Sequence, residues 1–308
     1  MQRRRVILDC DTGTDDAIAI MLAAARPELD LVAVTAVWGN HTVEHTADNS
    51  RRVLDLIGRP DVPVHAGRAG PVDPPPGAPA AHGSPEPDTL PLPPPVRPVE
   101  SKDAVEWLVE TARASTEPLT LVPTGSLSNV AAAVAADPAL VDAVDELVVM
   151  GGVIARDGLL PDIETNVGND PEAAHRVLEA GFSRVVLVPL DATYRATVTS
   201  AQCATLRAAG RAAAVAAEFI EHRIERYRSL PAMRGRAAAP VHDALTIAYL
   251  VDPALVTLRP AHVRVHTGGS PVRGRTDIGF DASGTVQVAT EPDAARFFEL
   301  LRDSLGGL

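Results

Sequence analysis

The sequence Asp9-Cys10-Asp11-Thr12-Gly13-Thr14-Asp15-Asp16, residues 9–16, decides the interpretation of the rest of the chain. It follows the run Arg5-Val6-Ile7-Leu8, which is typical of a buried strand, and precedes residues 17–25, which are typical of a largely buried helix. The stretch is therefore predicted to be a strand-to-helix turn, in which Gly13 lets the chain turn and Asp15 and Asp16 open the helix. Because residues two apart on a strand share a face, Asp9 and Asp11 are predicted to project together.

Four converging carboxylates predict a divalent cation. Two like charges about 4 Å apart repel by about 4 kcal/mol at an effective dielectric constant of about 20. A helix N-terminus stabilises one anion by only about 0.3 to 1 kcal/mol, so it does not offset that repulsion. A set of carboxylates, carbonyls and waters suits the hard ions Ca²⁺ or Mg²⁺. The alternative is a solvated acidic turn with ordinary helix caps.

The composition argues against several classes of function. The chain has 308 residues with 46% hydrophobic content, which is enough for a large core. A net charge of -12 disfavours nucleic acid or an anionic membrane as the main partner. The first apolar run is cut by Asp9 and no run is long enough to span a bilayer, which predicts a cytoplasmic location. Cys10 and Cys203 do not suggest a disulfide framework, and Cys10 is predicted to point into the core.

Strand and helix patterns alternate along the chain. Strands are predicted at residues 5–8, 29–37, 62–66, 119–122, 146–150 and 185–188, with weaker strands at 255–259, 263–266 and 286–289. Helices are predicted at residues 43–57, 101–113 with Ser101 as the cap, 171–181, 200–227, 244–251 and from Pro292 onward. This alternation predicts one α/β domain, residues 1–308, with a mostly parallel sheet and right-handed crossovers. Ligands bind beyond the carboxyl ends of such strands, which places Asp11, Asn40, Thr124 and the loop after Gly152 on one rim.

A proline-rich segment interrupts this pattern. Residues 71–98 contain 12 prolines, which excludes a helix or an interior strand there. Loops of this length are usually functional or disordered. We predict a flap at about residues 70–99, in which His82-Gly83 is the candidate functional pair, with His82 in substrate binding or of no role.

The residues of the rim suit a polyhydroxylated ligand such as a sugar. The rim combines hard oxygen ligands with amides and a His-Asp pair: Asn40, Asn166, Asn169, Glu164, His242 and Asp243. Vicinal hydroxyls can complete a Ca²⁺ shell while amides and carboxylates bind the other oxygens. Phosphate fits poorly, because the chain has no glycine-rich phosphate loop with a lysine.

Several short motifs of the sequence resemble those of a known protein family. Residues 9–17 resemble the N-terminal signature of the nucleoside hydrolases of the inosine-uridine type, which cleave the N-glycosidic bond of ribonucleosides. The likeness continues, in order, through residues 38–40, 122–125, 150–152, 164–166, 169–173 and 241–243. The resemblance implies a Rossmann-like α/β domain with helices on both faces of the sheet. It also implies a homodimer or homotetramer and one Ca²⁺ in the pocket, with a nucleoside as the small-molecule substrate.

The resemblance also implies a role for each matching residue. Asp11, Asp16, the main-chain carbonyl of Thr124 and Asp243 are similar to the calcium ligands of the family. Asp11 would take a proton from a calcium-bound water, which attacks the anomeric carbon through an oxocarbenium-like state. The products would be free base and ribose.

The remaining matches concern the substrate. Asp15, Asn40, Asn166 and Asp243 are similar to contacts with the ribose 2′ and 3′ hydroxyls, and Glu164 to a contact near the 5′ hydroxyl. His242 lies where some members place a general acid for the leaving base, for which a histidine has a suitable pKa. The helical segment at about residues 200–240 would form the base pocket, with Tyr227 and Arg234 as candidates to meet the base.

Each of these residues also has a structural alternative. Asn40 could cap the helix after the second strand, and Asp243 could be a plain helix cap with His242 as its neighbour. Glu164 and Asn166 could be solvated loop residues. Tyr227 and Arg234 could belong to the core or the surface.

The sequence departs from the family pattern at several positions. Thr12 stands where proline is usual, Gly158 near a usual asparagine, and Thr165 at a common aromatic position; the residues after His82-Gly83 lack the usual glycine. Two competing functions therefore stay open. One is a haloacid dehalogenase-type phosphatase, because Asp9-Cys10-Asp11 mimics its Asp-x-Asp motif. The other is a non-catalytic nucleoside or sugar binder that retains the metal site.

Overall fold

The structure is a computed structural model that describes residues 3–74 and 89–308. Its strands, in chain order, are β1 (Arg4–Cys10), β2 (Leu29–Ala36), β3 (Val64–Ala66), β4 (Leu119–Pro123), β5 (Val144–Met150), β6 (Val185–Val188), β7 (Thr197–Thr199), β8 (Ala238–Pro240), β9 (Val256–Val265), β10 (Thr276–Phe280) and β11 (Val286–Pro292). In the described part of the chain the central sheet has the order β10-β9-β11-β6-β5-β4-β1-β2-β3, and β7 and β8 form a small separate pair.

Most of the central sheet is parallel, as the alternation of strands and helices predicts. Every neighbouring pair from β11 to β3 is parallel. Antiparallel pairing is confined to one edge, where β9 runs opposite to both of its neighbours, β11 and β10. The carboxyl ends of the parallel strands therefore share one edge, where the polar turns collect.

Helices pack on both faces of this sheet. They are α1 (Thr14–Ala25), α2 (Val43–Leu56), α3 (Ala104–Ala114), α4 (Ser128–Ala136), α5 (Leu140–Ala143), α6 (Thr165–Asn169), α7 (Pro171–Leu178), α8 (Leu190–Thr193), α9 (Ser200–Arg207), α10 (Arg211–Tyr227), α11 (Ala244–Val251) and α12 (Ala294–Leu305). Successive residues of β1 alternate between two hydrophobic clusters, with Val6 and Leu8 in one and Ile7 in the other. Cys10 is fully buried in the first cluster, as predicted.

The turn between β1 and α1 has the predicted form with one difference. Asp15 and Asp16 lie in the first turn of α1, and Gly13 is the N-cap residue. Gly13 has φ of -103°, a conformation open to other residues, so the turn does not depend on a left-handed glycine. Asp16 Oδ2 accepts a hydrogen bond from the Gly13 N–H at 3.0 Å, which satisfies one of the free donors at the helix start.

Several predicted boundaries are wrong in detail. Asp103, not Ser101, caps α3, because its side chain accepts from the N–H groups of residues 105 and 106. The two weak strands at 255–259 and 263–266 are one strand, β9, which continues through Pro260. The helices predicted across residues 200–227 are confirmed as α9 and α10, with residues 208–210 between them. Strands β7, β8 and β10 were not predicted, since two of them have three residues each and β10 lacks a clear apolar run.

The two described parts of the proline-rich segment each form a hydrogen bond with the rest of the fold. Residues 70–74 and 89–99 form no helix or strand, as predicted. The Val72 N–H donates to Asp170 Oδ2 at 2.8 Å, and the Leu90 N–H donates to Asn49 Oδ1 at 2.9 Å. His82, a predicted substrate-binding residue, lies outside the described residues.

Within the described ranges, no helix has both the length and the apolar character needed to cross a membrane.

Candidate active site

A cavity of about 410 Å³ opens at the carboxyl ends of the parallel strands. It is lined by Asp11, Asp15, Asn40, Thr124, Met150, Pro161, Glu164, Thr165, Asn166, Leu190, Tyr194, Arg223, Arg226, Tyr227, Leu230, His242 and Asp243. The lining combines acidic and amide side chains with aromatic and arginine side chains. The cavity therefore brings together most of the residues that the sequence singled out.

Asp11 is held at the end of β1 by the loop that follows β2. Its Oδ2 accepts a hydrogen bond from the Asn40 N–H at 2.7 Å. A Cβ atom at Gly39 would lie 2.1 Å from Asp11 Oδ2, so only glycine allows this approach. Burial, followed by the charges of Asp16 and Asp15, raises the pKa of Asp11 well above its ordinary value.

Asp9 does not join the cluster, although the strand pattern predicted that it would project with Asp11. Its Oδ1 accepts hydrogen bonds from Thr35 Oγ1 at 2.6 Å and Asn129 Nδ2 at 2.8 Å. The prediction failed because β1 ends at Cys10, and Asp11 lies beyond the strand where the alternation no longer applies. Burial raises the pKa of Asp9 to about 6.

The first turn of α1 and the start of α11 complete the acidic cluster. Carboxylate oxygens of Asp15, Asp16 and Asp243 lie within 4.8 Å of one another, and all three residues are buried. Burial and then the charges of Asp15, Asp16 and Asp11 raise the pKa of Asp243 well above its ordinary value. Asp243 makes no capping hydrogen bond through its side chain, so the plain-cap alternative has no support in the structure. Such a set of hard oxygen donors fits a divalent cation.

Thr124 and Asn166 connect this cluster to the neighbouring strands. Thr124 Oγ1 donates to Asp16 Oδ1 at 2.8 Å. The main-chain oxygen of Thr124 accepts from Asn166 Nδ2 at 2.7 Å, and a carbonyl oxygen has a second lone pair for a cation. Asn166 also donates to the main-chain oxygen of Met150 at 3.2 Å, so its amide is oriented by two strands.

Glu164 and Asn166 are buried, which rules out the alternative that they are solvated loop residues. Glu164 caps α6: its Oε1 accepts from the Asn166 N–H at 2.7 Å, and its Oε2 accepts from the N–H groups of Val167 and Gly152. Burial raises the pKa of Glu164 despite these hydrogen bonds. Glu164 therefore orders the loop that carries Asn166 in addition to lining the cavity.

Asn40 lines the cavity, and the N-cap position of the helix that follows, α2, is occupied by Thr42, whose side chain makes no capping hydrogen bond. The alternative role of Asn40 as that helix cap is therefore wrong. Arg234 is exposed and is not among the residues that line the cavity, so the structure does not place it where a base would bind.

Aromatic side chains surround His242. The ring centroid of His242 lies 5.5 Å from that of Tyr194 and 6.0 Å from that of Tyr227. His242 Nδ1 is 2.7 Å from Thr193 Oγ1, and His242 Nε2 is 3.1 Å from the Tyr227 hydroxyl. His242 is thus part of a hydrogen-bonded chain that reaches the cavity, and not merely a neighbour of a helix cap.

The donor and acceptor of each hydrogen bond in this series can be assigned from Arg223, because a guanidinium group can only donate hydrogen bonds. Arg223 Nη2 donates to the Tyr227 hydroxyl oxygen at 3.0 Å. A consistent assignment then lets the Tyr227 hydroxyl donate to His242 Nε2, and His242 Nδ1–H to Thr193 Oγ1. Thr193 Oγ1 in turn donates to the main-chain oxygen of Leu190 at 3.2 Å. With a neutral His242, the mobile proton nearest the cavity lies on Tyr227.

Arg223 itself was missed by the sequence reasoning. Its Nη1 lies 2.9 Å from Asp15 Oδ1, and its side chain is only 3% exposed. The available signal was its position on the buried stripe of α10, one turn after Phe219 and Ile220. A charged residue on such a stripe is costly unless it is paired, so the pattern alone indicates a buried acidic partner.

Comparison with known proteins agrees with this geometry. Residues 6–299 match the family described as inosine-uridine preferring nucleoside hydrolase. The chain is 36% identical over 312 residues to the pyrimidine-specific ribonucleoside hydrolase RihA of Shigella boydii serotype 4 (strain Sb227), with 97% of each chain covered. It is 37% identical over 314 residues to the protein of the same name from Escherichia coli O9:H4 (strain HS), again with 97% of each covered.

Solved structures give the same result. The purine-preferring ribonucleoside hydrolase from Gardnerella vaginalis superposes with a TM-score of 0.85 at 29% identity, covering 99% of this chain and 98% of that chain. The plant nucleoside hydrolase PpNRh1 also gives 0.85, at 26% identity and 99% of both chains. Sequence match, fold and the acidic cavity agree: the chain belongs to the inosine-uridine preferring nucleoside hydrolase family, and it is an N-ribohydrolase that acts on ribonucleosides.

Proposed function

We propose that this N-ribohydrolase works with one bound Ca²⁺ and uses Asp11 as its general base. The observation that supports the proposal is that Asp11, Asp15 and Asp243 line one cavity beside Asn40 and Asn166. The buried carboxylate of Asp16 lies within 4.8 Å of those of Asp15 and Asp243. Burial, and then mutual repulsion, raise the pKa of Asp11 and Asp243, and a divalent cation would relieve that repulsion.

Asp11, Asp16, the main-chain oxygen of Thr124 and Asp243 would hold the ion. Asp15 also lies within reach of Asp16 and Asp243, but its Oδ1 is paired with Arg223, so we assign it to the sugar instead. Carboxylate and carbonyl oxygens are the ligands that Ca²⁺ prefers. When bound, the cation would acidify water and offset part of the carboxylate charge.

The chain's own residues supply the remaining chemistry. Asp11 accepts a proton from the attacking water, whose oxygen forms a bond to the anomeric carbon while the bond from that carbon to the base nitrogen breaks. Positive charge develops on the sugar ring in this step, and the surrounding carboxylates favour it. Asp15, Asn40, Asn166 and Asp243 bind the 2′ and 3′ hydroxyls, and Glu164 lies near the 5′ hydroxyl.

The leaving base takes its proton from the side opposite Asp11. The Tyr227 hydroxyl and His242 Nε2 lie 3.1 Å apart within the cavity lining. In the protonated form of His242, Nε2–H donates to the Tyr227 oxygen, so the proton that Tyr227 gives to the base is replaced by the Nε2 proton and His242 becomes neutral. We assign leaving-group protonation to this pair and keep His242 as its proton source. We also place His82 in substrate binding, on the family resemblance alone.

The test is hydrolysis of a panel of nucleosides by wild type and Asp11→Asn, measured as free base released. Loss of the general base is expected to lower kcat by a factor of about 10² to 10⁴. Asp145→Asn is a matched control, because Asp145 is an exposed carboxylate of β5 outside the cavity. Chelation followed by addition of Ca²⁺ or Mg²⁺ identifies the ion. Full activity of Asp11→Asn, or of the chelated protein, would refute the proposed mechanism.

The assembly is a separate proposal. The family resemblance supports a homodimer or homotetramer, and a molar mass from light scattering decides between these states and a monomer.

A further inference from the structure

Arg223 is a buried cation beside the acidic cluster. It lies on α10 and is 3% exposed, whereas the neighbouring arginines at the end of that helix are more accessible. A buried guanidinium is tolerated when it is paired and its N–H groups are used. Its carboxylate partner is Asp15, with 2.9 Å between Arg223 Nη1 and Asp15 Oδ1.

The guanidinium is oriented by groups other than Asp15. Its Nε donates to the main-chain oxygen of Pro240 at 3.1 Å, Nη1 to Thr14 Oγ1 at 3.3 Å and Nη2 to the Tyr227 hydroxyl at 3.0 Å. These partners belong to β8, α1 and α10. Because groups on three elements hold the planar guanidinium group of Arg223, its position does not depend on Asp15. We therefore expect the guanidinium group to determine where the Asp15 carboxylate lies.

Asp15 has two possible uses within the cavity. Its carboxylate is close enough to those of Asp16 and Asp243 to share a cation with them, and it also lines the wall where a sugar would lie. Asp15 Oδ1 forms a close ion pair with Arg223. An oxygen paired with a guanidinium is a poorer cation ligand but remains a strong acceptor for a hydroxyl.

We propose that Arg223 is a positioning residue that reserves Asp15 for a ribose hydroxyl and keeps it out of the cation's ligand set. This inference rests on the proposed function, in which Asp15 binds the sugar. It makes Arg223 a determinant of the preference for ribose over deoxyribose, acting through Asp15 and without contact to the base.

The test compares a ribonucleoside with its 2′-deoxy and 3′-deoxy analogues in wild type, Arg223→Met and Asp15→Asn. Removing one charged hydrogen bond is expected to cost Arg223→Met roughly 10- to 100-fold in kcat/KM with the ribonucleoside. With the analogue that lacks the relevant hydroxyl, kcat/KM is expected to change by less than about threefold. Asp15→Asn should lose the same discrimination, and the double variant should lose no more than either single variant.

Arg228→Met is the matched control, since Arg228 is exposed, follows directly on α10 and pairs with Glu225. It removes the same charge from the same region and should leave the ribose preference unchanged. Arg223→Lys keeps the charge without the planar fork and should show intermediate discrimination. This variant also keeps the test decisive if Arg223→Met does not fold.

A second readout is the binding of Ca²⁺ alone, measured by calorimetry. Loss of the Arg223 charge and release of Asp15 both favour the cation, so Arg223→Met should bind Ca²⁺ at least as tightly as wild type. A purely structural role would weaken Ca²⁺ binding and lower kcat/KM equally for all three nucleosides, and this result would overturn the inference. So would an unchanged ribose preference in Arg223→Met and Arg223→Lys. A wild type that hydrolyses no nucleoside would instead refute the proposed function.

Discussion

At the scale of single residues, the position of Asp11, the proposed general base, depends on the absence of a side chain at residue 39. Asp11 Oδ2 reaches the Asn40 N–H only because position 39 has no Cβ atom, which would lie 2.1 Å from that oxygen. The Trp38-Gly39-Asn40 motif is therefore explained by sterics. Gly39 leaves space for the Asp11 carboxylate, and the Asn40 N–H donates a hydrogen bond to it.

Gly39→Ala should move Asp11 and lower kcat by at least about 100-fold, because displacing a reacting group by about 1 Å can cost that much. Base release under saturating nucleoside measures the effect. Gly70→Ala is the control, since a Cβ atom there would meet no other atom within 4 Å. Equal activities of the two variants would show that Asp11 does not need the observed position.

The Tyr227 hydroxyl is the second residue-scale case. Tyr227→Phe keeps the ring but breaks the contacts with His242 Nε2 and Arg223 Nη2. If this hydroxyl protonates the departing base, kcat for nucleosides should fall by about 100-fold or more. Hydrolysis of p-nitrophenyl riboside, whose leaving group needs no proton, should hardly change. A parallel loss for both substrates would contradict the assignment and indicate damage to the sugar site.

At the scale of elements, a buried carboxylate joins the start of a helix to the proline-rich segment. Asp170 caps α7 through the Ala173 N–H at 3.1 Å. It also accepts from the Val72 N–H at 2.8 Å and from Ser128 Oγ at 2.7 Å. Its pKa is raised by burial, although these hydrogen bonds favour the charged form. Asp170 therefore connects the start of α7 with the proline-rich segment and with the start of α4.

Asp170→Ala should reduce the free energy of unfolding by about 3 kcal/mol, because it leaves several donors in the interior without their acceptor. Asp103→Ala removes the exposed cap of α3 and should cost only about 1 kcal/mol. Urea unfolding of both variants measures the difference. Equal losses would mean that the contacts of Asp170 with Val72 and Ser128 add nothing to its capping role.

At the scale of the whole molecule, we expect the acidic cavity to couple stability to pH and to the proposed cation. The pKa values of Asp11 and Asp243 are raised in the folded protein relative to ordinary carboxyls, so the folded state binds protons that the unfolded state has released. Their contribution to stability is therefore present at low pH and is lost as pH rises through the raised values. A cation needs the deprotonated groups and should compensate for this loss.

The increase in Tm caused by Ca²⁺, relative to a chelator, should therefore be larger at about pH 8 than at about pH 5.5, because protons and the cation compete for the same oxygens. With free Ca²⁺ at about 100 times its dissociation constant, the stabilisation should approach about 2.7 kcal/mol. Differential scanning calorimetry measures both effects. Asp145→Asn is the control and should behave as wild type. A Ca²⁺ effect that does not depend on pH would show that Asp11 and Asp243 do not bind the ion.

Family membership also decides between the functions that the sequence left open. The phosphatase and non-catalytic hypotheses are wrong, since the match over residues 6–299 and the related hydrolases identify an N-ribohydrolase. In the fold, the Asp9 carboxylate accepts hydrogen bonds from the side chains of Thr35 and Asn129.

The sequence by itself determined the strand-turn-helix at residues 4–25, the mostly parallel sheet and the family, because apolar periodicity and motif order are local properties of the chain. Only the tertiary structure decided that Asp9 leaves the cluster, that Arg223 meets Asp15, and that Tyr227 connects Arg223 to His242. The first two contacts join residues far apart in sequence: Asp9 and Asn129 are 120 positions apart, and Arg223 also contacts Thr14, the residue before Asp15, from 209 positions away. Their formation depends on how α10 packs against α1 and β8, which no local pattern specifies.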